Sequence, residues 1–350
     1  MKPIVEEAKT AVIFGVKDAR IVTRKLGELG PHDVLVKVES CNLCTSEYGV
    51  WSGARTNKPL PMTFGHEWAG EIVQVGEEVT GLAVGDFVGG SYEYDPYSVE
   101  AREGRQAEAP GVKPYDTQWE DGYYGRYEGC ADYVIQSQES IYKFSRRIRP
   151  SEAGFLEPLA TVVCGIGKLD IKATETVVVV GGGTMGILNA LVAKRTGARV
   201  IVSEPMEQKA RMAEKLGLEV IDGSCDAVEE VKARTDGKGA DTVIVAVGLT
   251  VANKQAFEML KKLHGKVLMF AAGYPAPEMG VDANRVHYGK MSIFGTFAGN
   301  YEDFRESCRL LSTGEIDVSP LVDKEFALDD IQAAFENATR PGGYRTTVLM

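Results

Sequence analysis

The sequence has no run of lysine or arginine, and its acidic residues outnumber its basic ones. It carries 39 lysines and arginines against 50 aspartates and glutamates, which gives a formal net charge of −11 at pH 7. A surface with this charge balance repels nucleic-acid phosphates and anionic lipid headgroups. We therefore expect neither a nucleic acid nor a membrane as a partner.

Long apolar stretches are scarce as well. Residues 1–7 lack the apolar core of a signal peptide. Residues 176–193 reach the length of a short membrane span, but three adjacent glycines and Asn189 interrupt them. That interruption is typical of a buried strand, a tight turn and a helix. We expect a cytoplasmic protein.

Cysteine is sparse, with six residues at positions 41, 44, 130, 164, 225 and 308. In a chain of 350 residues without a secretion signal, this number does not indicate a disulfide framework. Metal ligands or buried thiols are the expected roles.

The chain is long enough for two domains of roughly 100–200 residues each. Residues 1–88 consist of short strands separated by glycine turns, which predicts an antiparallel, barrel-like β unit. Residues 89–129 are rich in tyrosine, acidic residues and glycine, and we interpret them as a long surface loop.

From about residue 155 to residue 295 the pattern changes. Apolar runs of strand length alternate with helix-length segments, the strands at 177–180, 199–202, 242–246 and 266–270 and the helices at 184–196, 205–216 and 251–262. This alternation predicts a parallel sheet covered by helices. The alternation of strands and helices ends after residue 295. It is followed by two helices, at 301–313 and 328–338, and a short terminal strand, so we expect the tail to return to the first domain.

A dinucleotide site is predicted where the strand at 177–180 runs into a glycine-rich segment. Gly181-Gly182-Gly183-Thr184-Met185-Gly186 is a G-x-G-x-x-G motif between a strand and a helix. Gly181 makes the turn, Gly183 lets the backbone approach a pyrophosphate, and Gly186 lets the helix pack on the strand. The anion would lie at the positive end of the helix, next to Thr184 and Met185.

Glu204 ends the next strand, 18 residues after Gly186. A carboxylate there can bond the ribose 2′-hydroxyl and repel a 2′-phosphate, which favours NAD over NADP. The alternative is an ordinary strand-end carboxylate. Lys209 is either a contact to the adenosine ribose or a solvated helix lysine.

The segment from Cys41 to Cys44 is a CxxC motif, which on its own could be a redox dithiol or half of a zinc ribbon. A ribbon needs a second Cys or His pair, and none follows nearby. A redox motif should open a helix in a βαβ setting, whereas this one precedes a β-rich stretch. The other interpretation pairs Cys44 with His66, 22 residues later, in a catalytic zinc site that keeps an open position.

Three segments resemble a known family. Gly65-His66-Glu67-x-x-Gly70-x₅-Gly76-x-x-Val79 matches the signature of the zinc-containing medium-chain dehydrogenases, and Cys44-Thr45-Ser46-Glu47 is similar to that family's Cys-Gly-Ser/Thr-Asp. Phe155-Leu156-Glu157-Pro158-Leu159 resembles the Glu-Pro-Leu segment of its sorbitol, butanediol and threonine dehydrogenase branch. The resemblance extends over essentially the whole chain.

The resemblance implies an α/β fold with a GroES-like β-rich catalytic domain (1–156 and 296–350) and a Rossmann domain with a doubly wound parallel sheet (157–295). It implies one catalytic zinc per chain, bound by Cys44 and His66. Glu67 and Glu157 would be the third ligand or its close partner. Ser46 would be the proton relay on the substrate oxygen.

The implied function is NAD-linked oxidation of a secondary alcohol, with a polyol or sugar-like compound as the expected substrate, by hydride transfer from a zinc-bound alkoxide. The alternatives are a threonine or simple secondary-alcohol dehydrogenase and, in another class, a non-catalytic dinucleotide-binding module. The family suggests a homodimer or homotetramer.

Three departures from the family pattern have consequences. Residues 89–129 contain no cysteine, so the structural zinc of many members should be absent. Glu47 replaces the usual aspartate, which lengthens a side chain expected to hold His66. Gly49 stands where several members place a relay histidine, which leaves Tyr48 or water as the alternatives.

Aromatic residues crowd the segment 89–129, among them Tyr92, Tyr94, Tyr97, Tyr115, Trp119, Tyr123, Tyr124 and Tyr127. Amphipathic rings suit a substrate lid or a subunit contact. A loop packed on its own aromatic side chains is the alternative.

Overall fold

The computed structural model describes residues 1–111, 116–125, 127–224 and 226–350. Tyr115 and Cys225, both considered above, lie outside the described residues. The chain divides into two compact units, Met1–Ala160 with Gly299–Met350, and Thr161–Ala298. The domain boundaries expected from the sequence stay a prediction.

The first unit is built mainly from strands. Its elements are β1 (Glu7–Gly15), β2 (Asp18–Lys25), β3 (Asp33–Leu43), α1 (Thr45–Trp51), β4 (Met62–Thr63), β5 (Trp68–Val75), β6 (Phe87–Gly90), α2 (Val99–Arg102), β7 (Tyr133–Ser137), β8 (Ile141–Lys143), α3 (Pro150–Ala153), the start of α4 (Leu156–Gly167) and, after the second unit, α10 (Tyr301–Thr313), β15 (Val322–Ala327), α11 (Ile331–Ala338) and β16 (Arg345–Leu349). Short 3₁₀ turns lie at Gln106–Glu108, Gln138–Ser140, Ser319–Leu321 and Leu328–Asp330.

These strands form two sheets. One has the order β2-β1-β4, and the other has the order β15-β16-β3-β5-β6-β8, with β7 pairing to β3. The terminal strand β16 pairs antiparallel with β3, so the end of the chain does return to the first unit, as predicted. Trp51 stacks on Phe335 at a ring-centroid distance of 5.4 Å, which anchors α1 to α11.

The second unit alternates strands and helices. Its elements, after the rest of α4, are β9 (Thr176–Val180), α5 (Thr184–Lys194), β10 (Arg199–Glu204), α6 (Glu207–Lys215), β11 (Glu219–Asp222), α7 (Ala227–Arg234), β12 (Thr242–Val245), α8 (Thr250–Met259), β13 (Lys266–Met269), α9 (Ala283–Gly289) and β14 (Ser292–Gly295). Each predicted strand and helix of this region is present within a few residues.

The six strands of the second unit form one parallel sheet in the order β11-β10-β9-β12-β13-β14. The order reverses between β9 and β12, which is the arrangement of a doubly wound dinucleotide-binding sheet. The α/β fold class predicted from the sequence is therefore confirmed. Among the described residues, no helix combines the length and the apolar character needed to span a membrane.

Two details differ from the sequence-based expectation. Residues 1–88 were expected to contain strands and turns, but α1 begins directly after Cys44. A helix of seven residues is too short for a clear amphipathic period. The segment 89–129 contains the short helix α2, and Tyr92 is buried against Phe304 rather than exposed.

Candidate active site

Three neighbouring strands end or begin at one edge of the larger sheet of the first unit. The register pairs Leu43 of β3 with Thr346 of β16, and Cys41 of β3 with Trp68 of β5. The end of β3 therefore lies beside the starts of β5 and β16. This places Cys44 close to the residues that precede or begin those two strands.

The two cysteines of the CxxC motif point to different environments. Cys41 is fully buried in the strand β3, where a hydrogen bond with Cys130 and burial raise the pKa of its thiol well above the ordinary value. Cys44 is partly exposed and is the N-cap residue of α1. A redox CxxC motif was expected to open a helix, and α1 does begin directly after Cys44, so that objection to a redox dithiol is wrong. A redox dithiol is disfavoured instead because Cys41 is buried in the strand whereas Cys44 is partly exposed.

His66 is held by Glu47 from the first turn of α1. The Nδ1 atom of His66 lies 2.7 Å from Oε1 of Glu47, and both side chains are buried. The second oxygen of Glu47 accepts hydrogen bonds from the backbone N–H of Cys44 (3.1 Å) and the hydroxyl of Ser46 (2.9 Å). A carboxylate on one imidazole nitrogen fixes the ring and leaves the other nitrogen, Nε2, for a metal.

Gly65 is needed to present His66 in this way. Its φ of +108° lies in the left-handed region, and a Cβ at this position would overlap the backbone nitrogen of Cys130. A side chain at position 65 would therefore push apart the segments around His66 and Cys130.

Glu67 is paired with Arg345, the first residue of β16. The Nε of Arg345 donates to Oε2 of Glu67 at 2.8 Å, and a terminal nitrogen donates to Oε1 at 2.5 Å. The same guanidinium lies 3.7 Å from the Cys44 sulfur. The two side chains are 0% and 5% exposed, so this is a buried bidentate ion pair. Arg345 was not among the candidate site residues predicted from the sequence.

Glu157 lies in the first turn of α4 and faces the same group of residues. One ligand atom from each of His66, Glu67 and Glu157 lies within 4.8 Å of the others, and the same holds for Cys44, Glu47 and His66. No hydrogen bond to the Glu157 carboxylate is present among the described residues. The two groups share His66, so within the described chain they define one possible metal centre.

The electrostatics of the site show a shortage of positive charge around Glu157. Burial raises the pKa of Glu157 to about 7. The charge of His66 acts to lower this pKa, and the charge of Glu67 acts to raise it further. Burial also raises the pKa of Glu67, against the effect of Arg345. Carboxylates with raised pKa values are sites where a bound cation would replace the proton.

The histidine and its partner carboxylate show the opposite shifts. Burial alone would lower the pKa of His66, but the charge of Glu47 and hydrogen bonds with Cys44 and Glu47 raise it well above its ordinary value. Burial alone would raise the pKa of Glu47, but His66 and Ser46 lower it overall. A thiol, an imidazole and a carboxylate around one point form a donor set that fits zinc.

Tyr48 and Gly49, which the sequence analysis considered for the proton path, both lie in α1. Tyr48 makes a 2.8 Å hydrogen bond with the hydroxyl of Thr45, which is exposed. At Gly49, a Cβ would lie 3.2 Å from the aliphatic carbons of Arg55, so the arginine side chain covers this position.

The glycine turn (residues 181–186) has the geometry that the sequence predicts. Gly181 has a φ of +104°, and its N–H donates to the carbonyl of Ser203 at 2.9 Å. A Cβ at Gly186 would overlap the carbonyl oxygen of Gly181, which explains the third glycine. Gly183 is the N-cap residue of α5, so Thr184 and Met185 form the first turn of that helix.

Glu204 and Lys209 lie beside this turn. Glu204 is 5% exposed, and its carboxylate accepts hydrogen bonds from the backbone N–H groups of Gly182 (2.6 Å) and Met206 (2.8 Å). The Nζ of Lys209 lies 3.8 Å from the position that a Cβ at Gly183 would take. The turn is therefore flanked by a fixed carboxylate and an ammonium group.

Protein-family models match both parts of the chain. The alcohol dehydrogenase GroES-like domain matches residues 30–146, and the zinc-binding dehydrogenase model matches residues 184–313.

Relatives and solved structures match over nearly the whole length. A sorbitol dehydrogenase of Halalkalibacterium halodurans is 30% identical over 319 residues, covering 87% of this chain and 88% of the relative. An L-threonine 3-dehydrogenase of Pyrococcus abyssi is 28% identical, covering 94% and 93%. A zinc-binding dehydrogenase of Sinorhizobium meliloti 1021 bound to NADP superimposes with a TM-score of 0.87 at 25% identity, covering 99% of this chain and 100% of that one.

Proposed function

Because this chain belongs to the zinc-containing medium-chain dehydrogenase family and is an oxidoreductase of CH–OH groups, we propose that it oxidises a secondary alcohol of the polyol or sugar type with one catalytic zinc and NAD. The observation that supports this most strongly is that His66 lies within 4.8 Å, ligand atom to ligand atom, of Cys44 and Glu47 on one side and of Glu67 and Glu157 on the other. When bound, zinc supplies a Lewis acid that lowers the pKa of a hydroxyl group, and the dinucleotide supplies the hydride acceptor.

We assign Cys44, His66 and Glu157 as the residues that hold zinc, and Glu67 as a positioning residue. Both oxygens of Glu67 are already engaged by Arg345, whereas no described residue donates a hydrogen bond to Glu157. Glu47 is likewise engaged, by His66, Ser46 and the N–H of Cys44. Glu157 is therefore the carboxylate that needs a cation.

This assignment predicts that the two glutamates respond differently to substitution. Glu157→Gln should weaken zinc binding more than 100-fold, whereas Glu67→Gln should weaken it by about 10- to 100-fold, because it acts on the site through its neighbours. Competition with a chromophoric chelator measures both affinities. A larger loss for Glu67→Gln than for Glu157→Gln would reverse the assignment.

Ser46 carries the proton in the proposed reaction. Its hydroxyl donates to Oε2 of Glu47, so Ser46 Oγ can accept the proton of a substrate hydroxyl while passing its own to Glu47. Glu47 is one methylene longer than the aspartate of the family pattern, and its carboxylate contacts both Ser46 and His66. The same carboxylate thus supports the metal-binding imidazole and the hydroxyl.

The preference for NAD rests on Glu204. Its carboxylate is fixed at the glycine turn, where it would repel a 2′-phosphate. The ammonium group of Lys209 lies next to the same turn and could contact the ribose or a 2′-phosphate. A relative's structure contains NADP, so the choice needs a direct test.

Glu204→Ser is expected to lower the ratio of kcat/KM for NAD⁺ over NADP⁺ by about 100-fold, because a like-charge repulsion of a few kcal/mol is removed next to Lys209. Steady-state kinetics with both coenzymes measures the ratio. Glu207→Ser, the same change at an exposed position in the first turn of α6, should leave the ratio unchanged. An unaltered ratio in Glu204→Ser would show that other groups choose the coenzyme.

The substrate class is tested with a panel of alcohols and the zinc-loaded protein. Sorbitol, xylitol, 2,3-butanediol, L-threonine and 2-propanol are compared by kcat/KM with NAD⁺, and zinc is measured in parallel. A carboxylate-rich site can read several hydroxyls by hydrogen bonds, so the polyols should react best. Activity confined to L-threonine would establish the alternative that several relatives suggest. A zinc-free protein inactive with every alcohol would favour the non-catalytic module.

Assembly into a homodimer or homotetramer stays a proposal. The strand β14 ends the parallel sheet at one edge, and Ile293 on it is 36% exposed. An open sheet edge with apolar side chains is suited to pairing with a second copy.

A further inference from the structure

Asn42 is a buried asparagine between the two cysteines of the CxxC motif, and the proposed reaction assigns it no role. It is 1% exposed and lies on β3, two residues before Cys44. A buried amide normally has hydrogen-bond partners, because an unpaired donor or acceptor in the interior costs free energy. The partners of Asn42 therefore show which parts of the chain its side chain connects.

Three hydrogen bonds join Asn42 to three other segments. The hydroxyl of Thr347 donates to Oδ1 of Asn42 at 2.6 Å, and Nδ2 of Asn42 donates to the carbonyl oxygen of Ser151 at 3.2 Å. The backbone N–H of Asn42 donates to the carbonyl oxygen of Glu67 at 2.8 Å. A carbonyl oxygen can only accept, so the contact with Ser151 requires the amide nitrogen on that side. An ionised aspartate has no donor and could not make this set of bonds.

Two of the partners belong to the proposed metal centre or lie next to it. Glu67 is part of the centre, and Thr347 lies two residues after Arg345 on β16, directly opposite Asn42 in the register of the sheet. Successive side chains of a strand alternate between the two faces of a sheet, so Thr347 lies on the same face as Arg345. The Thr347 hydroxyl therefore ties the face of β16 that carries the arginine to β3.

The segment before Glu157 packs directly on the Asn42 amide. Ser151 lies in α3, and Gly154 follows this helix, three residues before Glu157. A Cβ at Gly154 would lie 2.8 Å from Nδ2 of Asn42 and 3.1 Å from the carbonyl oxygen of Glu67. This close approach places the chain that leads into α4, and so into Glu157, against the amide.

We propose that Asn42 is a positioning residue for the metal centre: its hydrogen bonds fix β3, β16 and the segment before α4 relative to one another, and thereby the residues around zinc that these segments carry. The inference rests on the proposed function, since it concerns the zinc site of that reaction. Replacing a residue that holds metal ligands in place typically weakens metal binding 10- to 100-fold. Asn42 acts through the segments rather than on a ligand side chain, so we expect the lower end of this range, about tenfold.

The adjacent position on β16 offers a matched control. Thr346 and Thr347 are both fully buried, and the hydroxyl of Thr346 accepts a 2.9 Å hydrogen bond from the buried Asn337. Because side chains alternate along the strand, Thr346 lies on the face opposite to that of Arg345. Thr347→Val and Thr346→Val each remove a hydrogen bond with a buried asparagine with little change in side-chain shape, so both should lower the melting temperature.

The experiment measures zinc affinity by competition with a chromophoric chelator and records the visible spectrum of the cobalt-substituted full chain. Thr347→Val should weaken zinc binding by about tenfold and shift the d–d bands of bound Co²⁺, because the ligand geometry changes. Thr346→Val should match the parent protein in both measurements. Thr347→Ser keeps the hydroxyl and should restore the parent affinity and spectrum.

The two asparagines allow the same comparison with a larger change. Asn42→Ala should lose at least as much zinc affinity as Thr347→Val, whereas Asn337→Ala should keep the affinity of the parent protein. If Asn42→Ala does not fold, the milder Thr347→Val decides. Parent-like zinc affinity and cobalt spectrum in Thr347→Val, or equal losses in Thr347→Val and Thr346→Val, would overturn the inference and leave the proposed function intact. A parent protein that binds neither zinc nor cobalt would overturn both.

Discussion

Replacing Cys44 with serine should remove zinc and lower kcat for the best alcohol substrate by about 10³-fold, because a Lewis acid contributes several kcal/mol to the reaction. A serine hydroxyl does not ionise near neutral pH, so it cannot replace the thiolate beside His66 as a zinc ligand. Atomic emission measures zinc, and steady-state kinetics measures kcat. The parent protein should contain about one zinc per chain.

Cys164→Ser is the control for this change, since it makes the same substitution in the second unit, at a cysteine whose neighbour is the hydroxyl of Thr296. It should keep both zinc and activity. Binding of NADH, followed by its fluorescence, should persist in Cys44→Ser because the glycine turn is intact. Full activity in a zinc-free Cys44→Ser protein would contradict the proposed role of the metal.

Arg345→Met should destabilise the protein by about 3–5 kcal/mol, because it leaves the buried carboxylate of Glu67 without its partner. For a unit of this size, the loss corresponds to a melting temperature lower by roughly 6–20 °C. Differential scanning calorimetry of the zinc-loaded protein measures the shift. The double variant Glu67→Gln/Arg345→Met should recover much of it, since no charge is then left buried alone.

Arg147→Met is the matched control for this prediction. Arg147 also bridges two carboxylates, Glu39 and Glu71, but its side chain is 51% exposed. An exposed ion pair contributes about 0–1 kcal/mol, so the melting temperature should change by at most a few degrees. Equal shifts for Arg345→Met and Arg147→Met would show that burial of the Glu67 pair has no special effect.

The parallel sheet and the glycine turn were predictable because their signals are local. The signals are four consecutive valines, three glycines and a glutamate, Glu204, at the end of the next strand. All of them lie within one βαβ unit, and their spacing predicts the strand and the glycine turn. The metal centre was harder to predict, because 22 residues separate Cys44 from His66 and 91 separate His66 from Glu157. The spacing alone left other interpretations open, and the family resemblance provided the grouping.

Arg345 and the double role of Glu47 could not be derived from the sequence. An arginine at the start of a terminal strand is usually solvated, and its burial follows from the pairing of β16 with β3. The contact of Glu47 with both Ser46 and His66 depends on α1, which was not predicted. The sequence contains only two weak signals for these roles. Arg345 precedes two threonines, and Glu47 lies three residues after Cys44.

The pairing of Glu67 with Arg345 has a consequence for biosynthesis. The two residues are 278 positions apart, so the ribosome needs about 15–55 s after adding the glutamate before it adds the arginine. During that interval a carboxylate destined for the interior has no counterion, and β3 has no partner along the side that β16 will cover. Folding of the first unit must therefore finish after translation of the last strand, whereas the parallel sheet can form while the chain is still being made.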